Sequence, residues 1–209
     1  MQSPENPGVD LPTALLTLPL ETARLLLRPF TPQDFEDLHA FQSLPVAARY
    51  RYTEPRSPEE TRELLDGWLR SRGFTADDDK LVLALEMQDT GRVIGEVLLT
   101  LRSAEHRQGE IGFILHPDFH GRGLAYEACL PLLKLGFETF GLHRIFGRCD
   151  ARNLASARLM ERLGLRREAE LRENKFVKGA WTSEAVFALL AREWRERIAA
   201  GVEQDRQRP

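Results

Sequence analysis

Cysteine is scarce in this chain. Cys129 and Cys149 are the two cysteines among 209 residues, which is too few for a disulfide framework or a cysteine-based metal cluster. The five histidines show no HExxH-like spacing, and that spacing is typical of one large class of metal sites. We therefore expect no metal site.

A strong excess of charge of one sign is also missing. The chain has 29 basic and 32 acidic residues, for a formal net charge of −3. A protein whose main partner is a nucleic acid usually carries a pronounced basic excess. The charge balance therefore indicates no nucleic-acid partner.

Long hydrophobic runs are missing as well. No apolar run approaches the roughly 20 residues that a membrane span needs. Pro12 and Pro19 interrupt the apolar residues near the start of the chain, and no basic segment precedes them, which disfavours a signal peptide. We expect a cytoplasmic protein without a membrane partner.

What the chain does have is the composition of one globular domain. Hydrophobic residues make up 42% and charged residues 29%, as in ordinary globular proteins. The length fits one domain with additional residues at its ends. The expected organisation is a flexible N-terminal arm at 1–19, a single domain at 20–195 and a polar tail at 196–209.

Two early segments carry the same signal for a helix start. Residues 31–34 (TPQD) and 57–60 (SPEE) each place a hydroxyl at the N-cap, proline at the next position and an acid three residues on. Apolar residues at helical spacing follow both segments. They predict the first two helices.

Strand-like runs and two later helices complete the pattern. The predicted strands are 24–28, 81–87, 92–101, 109–115, 144–149, 165–177 and 181–190, and the later helices follow Gly123 and span 153–163. Tight turns favour antiparallel pairing, whereas the helix after Gly123 makes 109–115 and 144–149 parallel neighbours. The predicted fold is α/β (α+β), with a mixed, mostly antiparallel seven-stranded sheet and about four helices.

A glycine loop joins the strand 109–115 to the helix that follows it. Gly121 and Gly123 lie in this loop, and glycine lets the backbone turn several N–H groups to one side. The helix's positive end adds to the attraction for an anion. The loop predicts a site for a phosphate-bearing ligand. For the loop alone, a turn that only reverses the chain is the alternative.

Three ordered blocks, ETARLLLRPFTPQDF, GEIGFILHPDFHGRGLAYEA and DARNLASARLMERLGL, resemble the signatures of the GNAT superfamily of acetyl-CoA-dependent N-acetyltransferases. The closest branch is the ribosomal-protein-alanine N-acetyltransferase type, and the resemblance covers roughly residues 20–195. It implies a GNAT fold whose parallel strand pair splays apart in the middle of the sheet. It also implies acetyl-CoA as co-substrate and an amine as acceptor.

The resemblance implies a set of cofactor-binding residues. The family's pyrophosphate pattern, Q/R-x-x-G-x-G/A, falls on His120, Gly121, Arg122, Gly123, Leu124 and Ala125. His120 departs from the usual first residue, and main-chain amides from Arg122 to Ala125 are implied to bind the pyrophosphate of acetyl-CoA. The pantetheine arm is implied to lie along the main chain of Phe113, Ile114 and Leu115.

Two residues at the start of the helix 153–163 match further family positions. Asn153 matches a residue that touches the pantetheine arm, although asparagine also caps helices without any ligand. Ser156 matches a residue proposed in the alanine-acetylating branch to protonate the departing CoA thiolate. A hydroxyl that only bonds the backbone of the first turn is the alternative for Ser156.

Two carboxylates are candidates for the general base, and Glu110 is the first. Glu110 lies in the otherwise apolar strand 109–115, where a buried acid is costly unless it has a partner or a task. Glu96, in the strand 92–101, is the second candidate, and for both the alternative is an exposed strand carboxylate. We expect the chosen carboxylate to act directly or through water.

The acceptor is the least defined part of the prediction. An α-amino group, with a pKa of about 7.7 to 8.0, is far easier to deprotonate at pH 7 than a lysine amine of about 10.4, which favours a protein N-terminus. A small amine such as an antibiotic, polyamine or amino acid is the alternative, and so is a non-catalytic acyl-CoA-binding module. Residues 49–52 and Trp68 are expected to line the acceptor pocket. Pairing of the late strands into a homodimer stays open.

Overall fold

The structure, a computed structural model, describes residues 18–70 and 74–206, and for 201–206 only the course of the backbone. The predicted N-terminal arm lies almost wholly outside this description, as do residues 207–209 of the predicted tail. The predicted domain limits stay a prediction.

The strands and helices follow the predicted order, with one more strand at the start, one more helix between the first two predicted helices and one more helix at the end. The strands are β1 (Leu20–Glu21), β2 (Leu25–Arg28), β3 (Lys80–Met87), β4 (Val93–Ser103), β5 (Gln108–Leu115), β6 (Arg144–Asp150), β7 (Arg166–Val177) and β8 (Ala180–Leu190). The α-helices are α1 (Phe35–Gln42), α2 (Pro45–Ala48), α3 (Pro58–Arg70), α4 (Leu124–Lys134), α5 (Leu154–Arg162) and α6 (Ala191–Arg206).

The eight strands found in the described residues form one sheet in the order β1-β2-β3-β4-β5-β6-β8-β7. The pair β5–β6 is parallel and every other neighbouring pair is antiparallel. This confirms the predicted mixed sheet with a parallel pair in its middle.

The described residues contain more strands and helices than the sequence predicted. Strand β1 has two residues, which leaves no alternation for a sequence pattern to detect. Helix α2 has four residues. Helix α6 begins before residue 195 and continues into the predicted polar tail. It is anchored by Trp194, which is buried and donates an indole hydrogen bond of 3.0 Å to Glu138.

The two faces of the sheet carry separate helices. Helix α4 packs on one face, where Ile111 and Leu115 of β5 join the main hydrophobic core. Helices α1 and α3 cover part of the other face around a smaller apolar cluster that Ile114 contacts. Successive side chains of β5 therefore point to opposite faces of the sheet. A site at the end of this strand can have side chains of β5 on the face that carries α4 and on the face that carries α1 and α3.

Candidate active site

The parallel strands β5 and β6 pair only at their beginnings. Gln108, Gly109 and Glu110 pair with residues 144–146, and from there β5 runs on to Leu115 and β6 to Asp150 without pairing to each other. Strand β5 stays paired to β4 and strand β6 to β8 along these stretches. The middle of the sheet therefore opens into a cleft, as the GNAT resemblance implied.

The glycine loop lies between β5 and α4. Gly121 and Gly123 have φ values of +74° and +77°, a left-handed conformation in which glycine is strongly favoured. Between Gly121 and Ala125, no main-chain amide donates to an acceptor in the part of the chain that the structure describes. Nothing within 4 Å occupies the space where a Cβ of Gly121 would stand. The loop therefore offers free N–H donors at the start of a helix, which suits a diphosphate.

His120 connects this loop to the end of β5. Its ring Nε2 lies 2.9 Å from the carbonyl oxygen of Leu115. This side chain therefore braces the loop from within, whereas the family pattern has glutamine or arginine at the same position. The departure at His120 leaves the loop's main-chain donors free.

A contact that sequence reasoning missed holds the loop from the other side. The Arg24 guanidinium binds Glu127 in the first turn of α4, with nitrogen–oxygen distances of 2.6 and 2.8 Å, and donates to the Arg122 carbonyl at 3.0 Å. Burial would raise the pKa of Glu127, but hydrogen bonds from Thr22 and Arg24 outweigh it and lower that pKa. Arg24 lies in the first signature block, but the sequence did not predict its contact with the glycine loop.

Helix α5 borders the cleft beside α4. Asn153 is its N-cap, and its Oδ1 accepts a hydrogen bond of 3.1 Å from the Ser156 main-chain N–H. The Ser156 side chain is partly exposed, and among the described residues its hydroxyl has no hydrogen-bond partner. The capping role of Asn153 is therefore present, and the Ser156 hydroxyl is free to meet a ligand.

Glu96 lies on β4 on the side of the sheet that faces α1. It is directly opposite Ile114 of β5 and is 3% exposed. Burial raises its pKa to about 7, against the lowering effects of Arg51, of a hydrogen bond from Gln42 and of Arg56. A carboxylate with such a pKa changes protonation state near neutral pH, as a general base needs to do.

The Glu96 carboxylate has few partners. Gln42 Nε2 donates to its Oε2 at 3.0 Å. Three buried polar atoms of its neighbours lack a hydrogen-bond partner in the described part of the chain, namely Gln42 Oε1, Arg51 Nη1 and Arg56 Nε. The surroundings of Glu96 are therefore polar, buried and incompletely satisfied.

Glu110, the other candidate, has a different environment. Arg102 Nε donates to its Oε2 at 2.6 Å, and Arg148 donates to both carboxylate oxygens at 2.9 and 3.0 Å. Two guanidinium groups bound to one carboxylate occupy its lone pairs. This geometry favours a structural ion pair over proton transfer.

A further cluster missed by the sequence reasoning lies beside Glu110. Glu184 of β8 is 1% exposed and accepts hydrogen bonds from Tyr52 at 2.6 Å and Lys175 at 3.0 Å. Burial and the neighbouring Glu184 raise the pKa of the Tyr52 hydroxyl, which therefore stays protonated. The bond joins the segment 49–52 to the final hairpin, on the face of the sheet that carries Glu96.

The described residues lack two kinds of feature. No group of three or more histidine, cysteine, aspartate or glutamate side chains is arranged to hold a metal ion in residues 18–70 and 74–206. In those same segments, no helix combines the length and the apolar character required to cross a membrane.

Comparison with known families identifies this chain. Residues 24–166 match the family described as "Acetyltransferase (GNAT) domain", which is more than half of the chain. The chain belongs to the GNAT acetyltransferase family and is an N-acetyltransferase by family membership.

Relatives within the family differ in what they are named for. The chain is 27% identical over 175 residues to the uncharacterized N-acetyltransferase YnaD of Bacillus subtilis, covering 84% of this chain and 98% of YnaD. It is 26% identical over 159 residues to spermidine N(1)-acetyltransferase of Escherichia coli K12, covering 74% and 80%. Over 84 residues it is 26% identical to the E. coli K12 [ribosomal protein uS5]-alanine N-acetyltransferase, covering 40% and 43%.

Solved structures agree on the fold. A GNAT-family acetyltransferase from Bacillus anthracis superposes with a TM-score of 0.75 at 27% identity, covering 84% of this chain and all of the other. A Vibrio cholerae spermidine N-acetyltransferase, solved with CoA and spermine, superposes with a TM-score of 0.70 at 23% identity, covering 81% and 97%. The GNAT fold predicted from the sequence is confirmed.

Proposed function

We propose that this protein transfers the acetyl group of acetyl-CoA to a primary amine, and that the acceptor is a protein N-terminal α-amino group. The observation that carries the proposal is Glu96, a buried carboxylate whose pKa is about 7. Glu96 lies on β4, directly opposite Ile114 of β5, and β5 forms one wall of the cleft. A base of this kind beside a donor site is what amine acetylation requires.

The donor side of the proposal rests on unsatisfied main-chain groups. The free amides between Gly121 and Ala125 would hold the pyrophosphate, and the edge of β5 that does not pair with β6, at residues 113–115, would bind the amide-rich pantetheine arm. Asn153 and Ser156 border the same cleft from α5. Acetyl-CoA, when bound, supplies the acetyl group as an activated thioester.

On the acceptor side, Glu96 is the general base. The Glu96 carboxylate accepts a proton from the acceptor ammonium, directly or through water, so that the neutral nitrogen can form the new C–N bond. As the C–S bond breaks, the Ser156 hydroxyl donates a proton to the departing sulfur and regains one from solvent. The nitrogen, which becomes cationic when the C–N bond forms, releases its second proton to solvent and leaves a neutral amide. The ion-paired Glu110 takes no part in this assignment, which selects Glu96 from the two carboxylates that the sequence left open.

An α-amine makes modest demands on such a base. At pH 7 an α-ammonium of pKa 7.7 to 8.0 is about 1 to 1.4 kcal/mol from its neutral form, whereas a lysine side chain of pKa 10.4 is about 4.6 kcal/mol away. The similarity to the uS5-alanine enzyme also supports an N-terminal acceptor. The similarity to spermidine N(1)-acetyltransferase over 74% of the chain supports a small-amine acceptor as the second candidate.

Thiol release from acetyl-CoA tests the proposal. The purified full chain is incubated with acetyl-CoA and, in separate reactions, with alanine-initiated peptides, free amino acids and polyamines. We expect release of CoA together with an acetylated peptide detected by mass spectrometry. Calorimetry of acetyl-CoA binding without turnover on any amine would instead identify a non-catalytic acyl-CoA-binding module.

A further inference from the structure

Two arginines beside Glu96 have nitrogen atoms that no described residue satisfies. Arg51 Nη1 and Arg56 Nε are buried and lack a hydrogen-bond partner in the part of the chain that the structure describes. The positive charges of both guanidinium groups lower the pKa of Glu96. The Arg56 main-chain N–H donates to the carbonyl oxygen of Gln42, and Gln42 is the residue that binds the Glu96 carboxylate. The free donors therefore lie in the neighbourhood of the proposed base.

Buried donors without partners are rare in native structures and call for an explanation. Glu96 is the carboxylate whose charge acts on Arg51, but among the described residues no hydrogen bond satisfies Arg51 Nη1 or Arg56 Nε. Burial lowers the pKa of Arg51, which shows how poorly its charge is solvated. An anion bound at this position would satisfy donors that the folded chain leaves open.

Apart from Glu96, two acidic side chains on the same face of the sheet are already paired. Glu110 is bound by Arg102 and Arg148. Glu184 is bound by Lys175 and accepts a hydrogen bond from Tyr52. A cationic polyamine would have to displace these partners, and its own charges would face Arg51 and Arg56. The charge pattern disfavours a polycation and favours an anion.

The geometry points to an acceptor that carries a carboxylate close to its reacting amine, with Arg51 and Arg56 as the groups that bind this carboxylate. The planar guanidinium matches a carboxylate with parallel N–H donors. Glu96 lies near the same two arginines. An acceptor whose amine meets Glu96 while its carboxylate meets Arg51 and Arg56 must therefore carry the two groups close together. This inference rests on the proposed function and narrows its acceptor.

Two sources supply this chemistry. One is the α-carboxylate of a free amino acid, and the other is the side chain of an acidic residue among the first residues of a peptide. Each source has a matched neutral partner of nearly the same shape. L-alanine is compared with L-alaninamide, and a peptide that begins Ala-Asp is compared with one that begins Ala-Asn.

The experiment measures kcat/KM for both pairs and for spermidine, with acetyl-CoA saturating. In the pair that the enzyme accepts, we expect the carboxylate-bearing member to be preferred by about tenfold or more, since hydrogen bonds to a charged partner are strong. Arg51→Gln and Arg56→Gln should each abolish most of this preference. Neither change should alter the KM for acetyl-CoA.

A matched control uses an arginine away from the site. Arg92→Gln removes a largely exposed guanidinium paired with Asp37 at the β3–β4 turn, and it should leave the preference intact. Equal rates within both pairs, or a preference for spermidine that Arg51→Gln does not change, would overturn the inference while leaving acetyl transfer established. If no acceptor is acetylated, the proposed function fails and the inference fails with it. The wild-type comparison stands even if a variant does not fold.

Discussion

Replacing Glu96 by glutamine should change stability and activity in opposite directions. The amide keeps the size of the side chain and an oxygen that can accept the hydrogen bond from Gln42 Nε2, now 3.0 Å long. It removes the negative charge and with it the capacity to take a proton. A purely structural residue with the same contacts would not separate the two effects.

The stability change follows from the pKa of Glu96. Burial raises this pKa from 4.5 to about 7, so ionising the carboxyl destabilises the folded state. The penalty is small below about pH 4.5, grows as the pH rises and is complete above about pH 7. At about 1.36 kcal/mol per pKa unit, its full size is roughly 3 kcal/mol.

Glu96→Gln should therefore raise the free energy of unfolding by up to about 3 kcal/mol at pH 8 and by only about 1 kcal/mol at pH 5. Urea unfolding of both proteins at the two pH values measures this difference. At pH 7, loss of the base should lower kcat/KM by about 10²- to 10⁴-fold. Partial recovery is expected near pH 9, because the acceptor amine is then already neutral.

Glu110→Gln gives the contrasting result. It removes hydrogen bonds from Arg102 and Arg148, so we expect a loss of about 1 to 3 kcal/mol of stability with kcat/KM changed only a few-fold. If Glu110→Gln abolished activity and Glu96→Gln did not, the two carboxylates would have to exchange roles. If Glu96→Gln lowered stability at pH 8, our reasoning about its buried charge would be refuted.

Three further changes test the donor site. Gly123→Val should abolish CoA binding measured by calorimetry. The control, Gly91→Val, imposes similar strain at φ +68° in a turn remote from the loop and should leave CoA binding intact. Retained binding in Gly123→Val would contradict the loop assignment. Arg24→Gln removes the support of the Arg122 carbonyl and should weaken CoA binding about tenfold with little change in kcat; an unchanged Kd would show that the loop holds its shape alone. Ser156→Ala keeps the main-chain N–H bound by Asn153, so the melting temperature should stay constant while kcat falls about tenfold or more; an unchanged kcat would remove Ser156 from the mechanism.

The sequence predicted the sheet and the glycine loop because their signals are local. The strand runs, the capping segments and the left-handed glycines each depend on a few neighbouring residues. Strand β1 and helix α2 escaped prediction since two to four residues show no period. Helix α6 escaped because its composition is polar, and its main anchor, the buried Trp194, is a tertiary contact.

The site was predicted less completely, since much of its chemistry is long-range. Sequence alone put Glu110 first and Glu96 second. Their difference arises from residues far along the chain, Arg148 for Glu110 and Gln42 for Glu96. The support of the loop by Arg24 joins residues 98 positions apart. No sequence pattern reports such contacts without the fold.

The most direct test of the account is a titration of the isotope-labelled protein with CoA, followed through main-chain amide resonances. The account predicts that the amides between Gly121 and Ala125 shift most, and that inorganic pyrophosphate alone shifts the same set. Tight binding of CoA with these resonances unmoved would contradict the claim that the glycine loop holds the diphosphate.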